Sequence, residues 1–73
     1  MKGKEQLNLE IKGLKDFGLT GESIEFGPLL ITGFKQNKKG IFEYFVYGEE
    51  DESEDGIFNS INIEEVVEFV FNY

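Results

Sequence analysis

The sequence predicts an α+β domain: a small antiparallel sheet of about four strands in meander order, with one C-terminal helix on one face. Two observations carry this expectation. Short apolar runs are separated by clusters of Gly, Asn and charged residues, as in an antiparallel meander. The last run alone changes to a helical period, with Ile63, Val66, Val67 and Val70 at i, i+3, i+4 and i+7. The 73 residues are expected to form a single domain; a chain this short buries only about 60% of its unfolded surface. With no Cys and no His it lacks disulfides and the usual zinc sites. Eight Phe and three Tyr set it apart from disordered chains.

Leu7, Leu9 and Ile11 alternate with Asn8, Glu10 and Lys12, the period of a half-buried strand. A helix through Leu7, Ile11 and Leu14 competes with that strand, and Gly13 weighs against the helix. Residues 15–23 hold two Gly and read as a loop with Phe17 and Leu19 tucked inward. A second strand is expected over 24–34, with Pro28 near its middle. Proline cannot donate to a ladder, so it marks an edge, a bulge or a break. Asn37-Lys38-Lys39-Gly40 then supplies the turn chemistry of a hairpin.

Residues 41–47 are apolar on both sides: Phe42, Tyr44 and Val46 on one, Ile41, Phe45 and Tyr47 around Glu43 on the other. Such a strand belongs inside the sheet, covered on both faces. An acidic loop over 49–56 leads to a short strand near 57–61 and a helix over about 63–71. Asn62 is the expected N-cap, and Glu65 three residues on completes a capping-box pattern. Glu64 and Glu65 also suit the positive end of the helix dipole. One short helix cannot cover both sheet faces, so the aromatics left over predict a homodimer, as does the small size.

Charge is unevenly spread. Residues 1–40 carry seven Lys and five acids, net +2, whereas residues 41–73 carry ten acids and no base, giving −8 for the chain. A field of this sign attracts a basic partner and speeds its encounter. It also repels nucleic acid and anionic membranes as direct ligands. No stretch approaches the ~20 apolar residues of a membrane span, and no apolar run follows the first lysines as in a signal peptide. A soluble, cytoplasmic protein is expected.

No cofactor and no enzymatic activity are expected, because nucleophilic catalysis needs a base beside its nucleophile and the chain has no His, Cys or Arg. Asp16-Phe17-Gly18 has the letters of the kinase magnesium motif without the other kinase elements, and reads as a turn. Tyr44, Tyr47 and Tyr73 could stack on bases, but a single-strand binder also needs a basic groove; core or dimer contacts suit them better. Lys35, Lys38 and Lys39 read as turn solvation. The loop residues Asp51, Ser53, Asp55 and Asn59, with Gly56 between them, resemble the opening of an EF-hand calcium loop, with donors at positions 1, 3, 5 and 9. Position 12 is Asn62 instead of the bidentate Glu, and the incoming element reads as a strand. A solvated acidic hairpin tip is the competing reading.

Carboxylates on alternate strand residues lie about 6.6 Å apart, and those at i, i+4 on a helix about 5–6 Å apart. A DNA strand presents one phosphate per ~3.4 Å, so such rows can occupy a DNA-binding groove in place of DNA. Alternatively, the acidity serves solubility alone. Small size, strong acidity, the sheet-plus-helix pattern and expected dimerisation together resemble the DNA-mimic inhibitors of lytic phages. Targets of that group include HU-type nucleoid proteins, restriction enzymes, CRISPR effectors and uracil-DNA glycosylase. The resemblance is one of type, without a shared motif, and no functional residue carries over from it. The Lys-, Asn-, Ile- and Glu-rich composition without Arg is compatible with an AT-rich genome such as that of a Bacillus phage, which would place the protein in a host cytoplasm.

The implied function is a non-enzymatic inhibitor that occupies the DNA-binding surface of a basic host protein. An immunity or antitoxin protein against a basic nuclease toxin has the same physics, and a calcium-binding module is a third reading. Partner contacts are expected from Glu49, Glu50, Asp51, Glu52, Glu54 and Asp55 of the loop, extended by Glu43, Glu64, Glu65 and Glu68.

Overall fold

The structure, a computed structural model, describes residues 3–36, 40–48 and 56–73. Helices α1 (Lys4–Lys12) and α2 (Phe17–Thr20) precede strands β1 (Ile24–Phe26), β2 (Leu29–Gln36), β3 (Ile41–Tyr47) and β4 (Phe58–Ser60), and helix α3 (Ile63–Phe71) follows. The strands form one antiparallel sheet in the order β1-β2-β3-β4, the expected meander. The fold is α+β, with α3 on one face as expected and α1 beside it on the same face. Among the described residues no helix is long and apolar enough to cross a membrane.

Helix α1 corrects the strand expected over residues 7–12. The alternation of Leu7, Leu9 and Ile11 fits either period, and Leu9 decides between them. In the helix, Leu7 and Ile11 lie four residues apart and are fully buried, while Leu9 between them is 65% exposed. Gly13 ends this helix instead of preventing it: its N–H donates to the Leu9 carbonyl at 3.2 Å, and Leu14 N–H donates to Ile11 at 3.0 Å.

The segment 24–34 is two strands, not one. Phe26 pairs with Leu29 across a two-residue turn of Gly27 and Pro28. Gly27 supplies the positive φ of 59° that a tight hairpin needs at its first position. Pro28 has no N–H to contribute to the ladder, so the break falls there. The 15–23 stretch is also corrected, since it contains α2 and leaves Phe17 36% and Leu19 85% exposed instead of tucked inward. Asp16 caps that helix, its carboxylate accepting from Gly18 N–H at 3.0 Å.

Register sorts the side chains. β2 and β3 pair from Leu30–Tyr47 to Gln36–Ile41, so β3 is an inner strand as expected. Ile31 faces Val46 and Gly33 faces Tyr44 on the helix-covered side. There Leu7, Ile11, Ile31, Val46 and Val66 are fully buried. The Phe42 ring lies over Gly33, in space that any β-carbon at that position would occupy. On the second face Phe17, Phe34, Phe45 and Tyr47 form a row of rings with successive centroid separations of 5.4, 5.6 and 6.5 Å. Thr32, opposite Phe45 on that face, is only 2% exposed, and its hydroxyl has no hydrogen-bond partner among the described residues.

Two substitution experiments check this arrangement. In urea titrations Leu7→Ala should cost about 2–5 kcal/mol and Leu9→Ala less than about 0.5 kcal/mol; equal costs would restore the strand. Thr32→Val, which removes an unsatisfied hydroxyl at nearly constant shape, should stabilise the fold by about 1 kcal/mol, and a loss of that size would show that the hydroxyl is paired.

Candidate protein-binding surface

The junction of β4 with α3 fixes the first acids of the helix. Asn62 Oδ1 accepts from Glu64 N–H at 2.9 Å, the expected N-cap. The capping box, however, is relayed. Asn62 N–H donates to Ser60 Oγ at 3.0 Å, and the Ser60 hydroxyl donates to Glu65 Oε1 at 2.7 Å. One serine thereby satisfies both groups that a capping box would join directly, so Glu65 turns toward β4 instead of back to Asn62.

Along α3 the apolar row faces the core and Glu64, Glu65 and Glu68 face outward, all exposed. Lys4 of α1 places its ammonium 2.9 Å from Glu68 Oε1 and 5.8 Å from the Phe71 ring centroid. Asn72 at the helix end donates to Glu68 Oε2 at 3.3 Å. The hydrogen bond from Lys4, and then its charge, hold the Glu68 carboxyl below its ordinary range. With side chains 53% and 59% exposed, the Lys4–Glu68 pair adds little to stability.

The outer surface of α3 has two flanks. Toward α1 runs a groove of about 540 Å³ where Glu5, Glu64 and Glu68 meet Lys4, Leu9 and Val67. On the other side is a hollow of about 870 Å³, lined by Phe58, Phe69 and Tyr73 with Asn62, Glu65 and Glu68. Phe58 and Phe69 are stacked with centroids 4.4 Å apart, and Tyr73 continues the row 5.9 Å from Phe69. Compared with known protein families, curated proteins and solved structures, the chain matches none.

The acids named from sequence do not all meet here. Glu43 lies opposite Phe34 on the second sheet face, away from α3. Glu49, Glu50, Asp51, Glu52, Glu54 and Asp55 lie outside the described residues, as do Ser53 of the calcium pattern and Lys38 and Lys39 of the basic cluster. Asn59 is exposed on β4 opposite Phe45, also on the second face. Among the described residues no three acids are placed to hold a metal ion. Of the three tyrosines, Tyr44 is core, with burial pushing its hydroxyl pKa up, while Tyr73 is 68% exposed.

Sequence reasoning missed Glu5, because the strand assigned beyond it left no reason to bring it beside α3. It also missed the neighbours Glu65 and Phe69, four residues apart on α3, with Tyr73 just past the helix end.

Replacing Lys4 with Met should raise the Glu68 carboxyl pKa toward the ordinary glutamate value in an NMR titration. Because folding lowers this pKa, the pair's contribution is present above the ordinary glutamate range and fades as pH falls through the folded value. An unchanged Glu68 titration in Lys4→Met would show that the ion pair does not form in solution.

Proposed function

We propose that the protein is a non-enzymatic acidic inhibitor that binds the DNA-binding surface of a basic protein and excludes DNA from it. The observation that carries this reading is the outward face of α3 with its neighbour α1. Glu5, Glu64 and Glu68 are exposed there and line a groove with Lys4, while Glu65 is exposed on the other flank of α3. Glu64 and Glu68 are at i, i+4, about 5–6 Å apart, inside the ~8 Å screening length of physiological salt. A partner therefore meets them as one field instead of separate charges.

The sequence adds six acids between residues 49 and 55 and brings the chain to −8, so long-range attraction to a basic surface extends well beyond this face. In this reading the homodimer contact is the second sheet face, through the row of Phe17, Phe34, Phe45 and Tyr47, and α3 stays free for the target.

The test is competition. Labelled duplex DNA bound to an HU-type protein, or to another basic DNA-binding protein, should be released on adding this protein. The apparent affinity should fall steeply as salt rises. The triple variant Glu5→Gln, Glu64→Gln, Glu68→Gln should compete about tenfold less well, since each exposed pair contributes only a small part of the affinity. Retained DNA across such targets, or release that is flat with salt, would overturn the reading.

A further inference from the structure

On the α1 side of α3 a cation, a carboxylate and an aromatic ring already come together, as Lys4, Glu68 and Phe71. The opposite flank repeats two parts of that chemistry. Phe58 and Phe69 lie nearly parallel, 9° apart, and Tyr73 extends the strip outward. The Ser60 hydroxyl holds Glu65 Oε1 at 2.7 Å, which fixes the carboxylate one helical turn before Phe69. Glu65 Oε2 has no partner among the described residues, and no lysine of those residues lines the hollow.

We propose that this flank docks an arginine side chain of the basic partner, its guanidinium lying on the Phe69–Tyr73 strip and donating to Glu65. The proposal rests on the inhibitor reading only for the partner's basic character. Charge complementarity selects the occupant. A purely apolar partner segment would desolvate Glu65 without pairing it, and an anionic lipid surface is repelled. A second copy of this chain brings net charge −8 and contains no arginine. Arginine suits the site better than lysine because its planar, weakly hydrated head stacks on rings while donating two parallel hydrogen bonds to a carboxylate. The flank is open to solvent, so an extended side chain can reach the rings and Glu65 from outside. The partner contact would therefore combine long-range charge with a short-range aromatic anchor.

The test titrates the protein with hexa-arginine and hexalysine peptides of equal charge, reading affinity by calorimetry and ring signals by NMR. Hexa-arginine should bind about fivefold more tightly and shift the Phe69 and Tyr73 resonances. Tyr73→Ser and Glu65→Gln should each remove that preference. Glu22→Gln, which deletes one exposed charge between α2 and β1, should preserve it. Equal binding of the two peptides, or a preference that survives Tyr73→Ser, would overturn the proposal. If arginine preference holds while DNA competition fails, the site stands and DNA exclusion falls. If competition holds without arginine preference, DNA exclusion stands and the site falls.

Discussion

The fold depends on one contact, the seating of α1 and α3 together against the inner strands of the sheet. Val66, Val67 and Val70 of α3 and Leu7 and Ile11 of α1 close over Ile31 and Val46. A chain of 73 residues has no second core to fall back on. Within α3 this contact divides the residues sharply. Every valine faces inward, so the outward positions are left to Glu64, Glu65 and Glu68, held in place by the same packing. The surface chemistry of the helix is a consequence of how its other side is buried.

Much of this was legible in the sequence because some segments admit only one period. Residues 63–71 are apolar at helical spacing behind an asparagine cap, and 41–47 are apolar on both sides, which fits only an inner strand. The 7–12 segment was ambiguous for a physical reason. Three apolar residues at alternate positions satisfy a strand face, and the outer two alone satisfy a helix face. The competing helix through Leu7, Ile11 and Leu14 has its own local spacing, and packing beside α3 decides between the two. Pro28 marks an edge, a bulge or a break without choosing among them, and Gly27 beside it gives the pair a tight reversal, so one expected strand is two. Glu65 was assigned to the cap because Ser60 belonged to the preceding strand and its hydroxyl had no visible reason to intervene.

The charge pattern also takes a different form in three dimensions. Sequence counting groups Glu43 with the helix acids, but strand alternation sends it to the opposite side of the sheet. Glu5, from the half of the chain with net positive charge, joins Glu64 and Glu68 instead. Two physical effects then share the face of α3. Carboxylates act over about a screening length and are weakened by salt, whereas the strip of Phe58, Phe69 and Tyr73 acts only on contact and is largely indifferent to salt. A surface with both can attract a basic partner quickly and then hold it in a defined orientation.

The most direct test of whether α3 is the working surface is to map it in a complex. Isotope-labelled protein titrated with a basic DNA-binding protein should show amide shifts concentrated on Glu5, Ser60, residues 62–69 and Tyr73, and duplex DNA should reverse them. Shifts confined to the second sheet face, around Phe34, Phe45 and Tyr47, would contradict the account.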